Sequence, residues 1–341
     1  MLQVDTQDNT GQTPLHLALE RDHKKLAETL LRRGADENLA NAKGNSPLHI
    51  ICWKNDGDDL AALFFKISDE LGRLVQVDAK DKKGRTPLQL AVANLLPHTV
   101  DVLLNYGADL SSFVFPAEWY FGKSYKPYYK DINFNLKLAS GALDVAKHLE
   151  KRGYGLDLSD ALTIMKFFAK REFFEKSIDL DECGFNNDMF SSRTKRLLIN
   201  PNLSLYDLIW LPSEEAAKVL ASRAAIVRRR NSGYFEFPNP DKMWYMPKET
   251  LQAGSAHLCE ILSGRFFRRW ALDPFLELTH YRLPILCCEM IIKELKNEDL
   301  YHICLTPTGS NNNNSSEKNL TKCSNKTPAR AKKCSKKAKI L

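Results

Sequence analysis

Gly122-Lys123-Ser124 has the residue types that end a phosphate-cradling loop, in which backbone N–H groups hold the phosphate and the lysine and hydroxyl complete the site. That loop also needs a glycine at 117. Ala117 stands there, and Trp119, Tyr120 and Phe121 crowd the space. The eight cysteines, at 52, 183, 259, 287, 288, 304, 323 and 334, form no C-x-x-C and have no histidine at zinc-finger spacing. Cys287 and Cys288 are adjacent, which suits neither an ordinary disulfide nor a tetrahedral metal site. The pattern fits reduced thiols in the cytoplasm or nucleus. G-x-S-x-G, H-E-x-x-H and G-x-G-x-x-G are absent from the sequence. No catalytic residue, no metal and no cofactor are therefore expected, and no enzyme activity. The chemistry to look for is recognition of another macromolecule.

The elements that would position such contacts come from an internal repeat. Gly11-Gln12-Thr13-Pro14-Leu15-His16-Leu17-Ala18 recurs as Gly44-Asn45-Ser46-Pro47-Leu48-His49-Ile50-Ile51 and as Gly84-Arg85-Thr86-Pro87-Leu88-Gln89-Leu90-Ala91. The spacings are 33 and 40 residues, so the second carries a seven-residue insertion. Thr13, Ser46 and Thr86 are of the type that caps a helix, since a hydroxyl accepts from an orphan backbone N–H. Pro14, Pro47 and Pro87 take the first helical position, where no N–H is needed. Leu26, Leu30 and Leu31, and again Val100, Leu103 and Leu104, line a second helix, and Gly34 and Gly107 end it.

These motifs resemble the ankyrin-repeat family from Asp5 to about Ser112, with His16 and His49 at the motif histidine and Gln89 in its place in repeat three. The resemblance implies an all-α solenoid, because a single helix pair cannot bury its own apolar face. Repeat two lacks Gly-Ala-Asp, and its segment Asp59 to Val77 reads as long and irregular. The chain opens almost at a repeat boundary, which fits either a fragment of a longer protein or a frayed N-terminus. Turns Asn41 to Gly44 and Lys80 to Gly84 correspond to the finger turns that face partners in ankyrin folds. They make Asn41, Lys43, Lys80, Lys82 and Lys83 the expected target contacts.

Beyond Ser112 the pattern decays. Phe113 to Asn133 is an aromatic insertion, and Leu136 to Gly153 is a weakened repeat. The insertion reads as a loop packed by its own rings ahead of a ligand cage. Ala161 to Lys176 is expected as an amphipathic helix. Pro212 opens another that runs to arginines 228 to 230, placed favourably at its C-terminal end. Arg282 to Leu305 shows Leu283-Pro284 opening a helix, an apolar stripe Leu283, Cys287, Ile291 and Leu295, and Asn297 capping a second helix before Leu300. Leu-Pro, an apolar helix and then Asp-Leu resembles an F-box. Following ankyrin repeats and Ser204 to Ile209, it resembles the PRANC domain of poxvirus ankyrin proteins over about 200 to 305. It lacks a third helix after Leu305. The resemblance implies docking to the Skp-type adaptor of cullin ubiquitin ligases through Leu283, Pro284, Ile291, Leu295 and Leu300. Leu211-Pro212 is a weaker rival start.

The expected organisation is ankyrin repeats over 1–112, degenerate repeats with the aromatic insertion over 113–178, a helical PRANC-like module over 179–305 and a disordered basic tail over 306–341. That tail carries nine Lys or Arg and one Glu, so of the net charge of +7 the other 305 residues contribute about −1. Nucleic acid is therefore not expected as a partner. Lys332 to Lys337 fits an import signal or a solvated tail equally. No signal peptide and no run of 18 apolar residues is visible, so no membrane partner is expected. Two functions follow. Either the chain presents a protein target, held on its repeats, to a ubiquitin ligase, or it masks a signalling partner without ubiquitin.

Overall fold

A computed structural model describes residues 4–54, 58–125, 132–175, 188–196, 198–200, 202–221 and 248–306. Three helix pairs begin where the repeated Thr/Ser-Pro stands. They are α1 (Pro14–Glu20) with α2 (Lys24–Arg32), α3 (Pro47–Trp53) with α4 (Asp58–Glu70), and α5 (Pro87–Ala93) with α6 (Pro97–Asn105). α1, α3 and α5 pack in one row and α2, α4 and α6 in a second. Leu15, Leu48 and Leu88 are buried between the rows with Ala18, Ile51 and Ala91. Segment 59–77 is more regular than its sequence suggests. Leu60 and Phe64 stand 33 residues after the buried Ala27 and Leu31 and are buried in their place. The extra residues lengthen the helix to 13 and delay its end to Gly72.

After the third pair come α7 (Ile132–Lys151) and α8 (Leu158–Lys170). α7 packs on α6 and extends the second row, as one continuous helix where a helix–turn–helix repeat would stand. α8 ends at Lys170, short of the expected 176. Next come α9 (Asp188–Lys195), the antiparallel pair β1 (Leu198–Asn200) and β2 (Leu203–Ser204), α10 (Leu205–Trp210) and α11 (Ser213–Ala221). Arginines 228 to 230 lie outside the described residues, as does the tail after Thr306. α12 (Lys248–Leu278) packs along α7 and carries α13 (Ile285–Glu294) and α14 (Asn297–Leu305), with α14 also against α8. Asn297 is the first residue of α14, not its cap. Its carboxamide bonds Glu260 O at 3.0 Å and Ser263 Oγ at 2.9 Å on α12.

Each pair is preceded by a finger turn built to one plan. An Asx side chain accepts from two backbone N–H groups: Asp8 from Thr10 and Gln12, Asn41 from Lys43 and Asn45, Asp81 from Lys83 and Arg85. Neighbouring fingers bond backbone to backbone, Ala42 N to Thr10 O at 3.0 Å and Lys82 N to Lys43 O at 3.1 Å. That approach requires glycine at 44, where φ is +77° and a Cβ would lie 2.7 Å from Lys82 N. Gly44→Ala is expected to lower the unfolding free energy by about 1–3 kcal/mol, from a positive φ and a backbone clash together. Gly84 has the same φ sign but open space around it, so Gly84→Ala should cost less. Urea titration of both variants checks the difference; equal losses would mean finger contact adds nothing.

Candidate protein-interaction surfaces

The helix caps tie one repeat to the next. His16 Nε2 contacts Asn45 O at 3.0 Å, and His49 Nε2 contacts Arg85 O at 3.0 Å. A carbonyl only accepts, so each Nε2 carries the proton and each Nδ1 accepts, from Thr13 and Ser46 respectively. Gln89 does the same work in the third repeat: its Oε1 accepts from Thr86 N at 3.1 Å and its Nε2 donates to Val114 O at 3.1 Å. Val114 thus occupies the place of Asn45 and Arg85, and the aromatic segment begins as a fourth finger. Sequence reading missed this because the spacing from Arg85 is short and Phe115 replaces the capping hydroxyl.

Most rings of the insertion are core. Phe113, Phe115, Tyr120, Phe121 and Tyr125 are buried, and Gly122 sits so close to Phe167 that no side chain fits. Gly122 N donates to Ala93 O at 2.7 Å, so it is not available to cradle phosphate. Trp119 is the exception, 65% exposed. Residues Tyr128 and Tyr129 lie outside the described set.

Of the expected target contacts, Lys43, Lys80, Lys82 and Lys83 are exposed on the fingers. Asn41 is placed differently: it is buried and its side chain holds the turn, as above. Of the expected adaptor contacts, Leu283, Pro284 and Ile291 are exposed, Leu295 is half-buried and Leu300 is fully buried against the core. The face of α13 that turns inward is one residue from the expected stripe: Cys288 and Ile292 are buried, and Cys287 is exposed. The outer face therefore presents Leu286 and Met290, 69% and 71% exposed, with Ile285 and Ile291 on either side. Beside it, a groove of about 420 Å³ is lined by Arg265, Arg268, Arg269, Lys293, Glu214 and Glu289 among others. Arg269 is engaged by Glu150 and Lys293 by Glu214. In the run Arg265 to Trp270, Phe267 is fully buried and Phe266 and Trp270 partly so, the pattern of a half-buried helix.

Burial pushes the Cys52 and Cys259 thiols far up and that of Cys304 to about 12, so all three stay protonated near neutrality. Among the described residues no three His, Cys, Asp or Glu stand together as a metal site, and no helix is long and apolar enough to cross a membrane.

The family model described as Ankyrin repeats (3 copies) matches residues 1–69, and the one described as Ankyrin repeat matches 83–112. NF-kappa-B inhibitor alpha of Sus scrofa is 34% identical over 110 residues, 32% of this chain and 34% of that one. NF-kappa-B inhibitor delta of Mus musculus is 33% identical over 102 residues, 29% of this chain and 30% of that one. The Homo sapiens neurogenic locus notch homolog protein 4 is 34% identical over 100 residues, 29% of this chain and 5% of that one. The chain matches about a third of the length of the inhibitor-alpha relatives. Its front part is an ankyrin-repeat stack, and stack and inhibitor relatives support a role in protein interaction.

Proposed function

We propose that the chain is a two-ended adaptor: the ankyrin stack holds a protein target, and the outer face of α13 docks a Skp-type adaptor of a cullin ubiquitin ligase. The observation that carries this reading is the large apolar surface on α13, where Leu286 and Met290 stand in solvent on a helix anchored from its other side by Cys288 and Ile292. Apolar side chains clustered on one exposed helix face mark docking surfaces more often than scattered ones do. Leu283, Pro284 and Ile291 are exposed nearby in the sequence, Leu295 is half-buried and Leu300 is buried. The mechanism is proximity, in which tethering raises the target's effective concentration at the ligase.

The test is binding of purified Skp-type adaptor to the full chain by calorimetry. Leu286→Asp with Met290→Asp is expected to weaken binding at least tenfold, the scale of a lost hot spot, with an unchanged melting temperature. No binding by the unsubstituted chain would remove the ligase half. The alternative would then stand, that the stack masks a signalling partner as an inhibitor; the names of the inhibitor-alpha and inhibitor-delta relatives favour it.

A further inference from the structure

Where the third finger meets the aromatic segment, the surface carries rings and cations held in fixed positions. Arg85 lies over two of the rings, its guanidinium carbon 5.2 Å from the centroid of Trp53 and 5.2 Å from that of Tyr120. Asp81 grips it with two bonds, 2.8 Å to Nε and 2.5 Å to Nη2. Trp53 meets Tyr120 edge-on at 6.1 Å, and Trp119 meets Tyr120 at 5.5 Å. Lys123 Nζ stands 5.5 Å over Trp119. The ends of this row are open, with Trp119 and Val114 each 65% exposed and Trp53 36% exposed. Lys82 and Lys83, on the finger that carries Arg85, are exposed as well. Two carboxylates of these segments are paired: Asp81 with Arg85, and Glu118 with Lys166 at 3.0 Å and Lys170 at 2.6 Å.

We propose that the row Trp53–Tyr120–Trp119 is the centre of the target site and that it takes an acidic protein segment with an apolar anchor. The inference rests on the reading above that the repeats hold a protein target, and it names that target's chemistry. Tryptophan, tyrosine and arginine dominate the centres of protein interfaces because they offer large contact area with few rotamers to freeze. Here the rotamers are frozen before binding by Asp81 and by ring-on-ring contact, which lowers the entropy lost on association. The positive rim of Lys82, Lys83 and Lys123 would steer and select an acidic segment. A single-stranded nucleic acid fits less well. Stacking needs open ring faces, and Arg85 lies over Trp53 and Tyr120 as Lys123 lies over Trp119.

The experiment selects a phage library of random 12-residue peptides against the full chain. The winners are expected to carry Asp or Glu beside Trp, Phe or Leu. Synthetic copies should bind Trp119→Ala, and separately Lys82→Glu with Lys83→Glu, at least tenfold more weakly than the unsubstituted chain, while both variants keep its melting temperature. Basic or neutral winners, no winners, or acidic winners indifferent to both variants would each overturn the proposal. So would a labelled 15-nucleotide oligo-dT that binds the chain and is released by Trp119→Ala. Adaptor capture through α13, measured on the same variants, reports separately on the two-ended reading and should not change.

Discussion

Phe267→Ala is expected to lower the unfolding free energy by about 3–5 kcal/mol, the usual loss for a large aromatic removed from a packed core. Phe267 is fully buried on α12, and its ring meets Phe168 of α8 at 5.6 Å and Phe174 at 5.7 Å. Phe174 in turn meets Tyr301 of α14 at 5.9 Å. One ring thus joins the last helices of the stack to the helices that end the described chain. A solenoid has an open apolar face at each end, and the last unit needs a cover with a polar exterior. α12 and α14 supply that cover here by lying on α7 and α8. The substitution should therefore do more than lower stability: hydrogen exchange should quicken in α7, α8 and α14 before it does in α1 to α4. Phe266→Ala, on the half-buried side of the same helix, should cost clearly less. A loss for Phe267→Ala under about 1 kcal/mol would mean the stack closes itself without α12.

How much of this was legible follows from where the constraints lie. The repeats declare themselves because every pair must supply its own hydroxyl cap, proline and inward leucine at fixed spacing. Repetition turns a weak signal into a strong one. α4 kept that pattern in Leu60 and Phe64, but the added residues moved its terminal glycine from the expected place to Gly72, so the segment read as irregular. The Asx anchors at 8, 41 and 81 were equally visible at spacings of 33 and 40. Asn41 was instead read as a surface contact, since a turn residue that binds its own backbone and one that binds a partner look alike in sequence. For α13 periodicity could not choose a face. Ile285, Leu286, Cys287, Cys288, Met290, Ile291 and Ile292 make it apolar nearly all round, and only the packing of Cys288 and Ile292 decides which side is outward. The Trp53–Tyr120–Trp119 row joins residues more than sixty positions apart, beyond any local pattern.

Acid is expected to loosen the stack through His16 and His49, and the sign follows from their surroundings. Burial, the dominant effect, holds both imidazoles below the ordinary histidine value of 6.5; the carbonyl bonds to Asn45 and Arg85 and nearby carboxylates such as Asp8 and Asp81 oppose it without prevailing. In each ring Nε2 already donates to a carbonyl and Nδ1 accepts a backbone N–H, so a second proton would break that backbone bond and leave only the cap hydroxyl, 2.8 Å away, to accept it. The unfolded chain takes up those protons near pH 6.5 and the folded chain does not. Stability from these two groups is therefore fully present above pH 6.5 and is lost as the pH falls below it. Repeat three shows the remedy, since Gln89 makes the same pair of bonds and does not titrate. His16→Gln with His49→Gln should thus flatten the part of the melting temperature that varies between pH 7 and 5. Subtracting the variant's profile from the unsubstituted one removes contributions from other titrating groups such as Glu175. His16→Ala and His49→Ala are expected to behave differently. Each leaves a buried carbonyl and a cap without partners and should lower stability by about 3 kcal/mol at neutral pH. If the double glutamine variant keeps the original slope, the histidines are not what acid attacks, and the cause lies outside the caps.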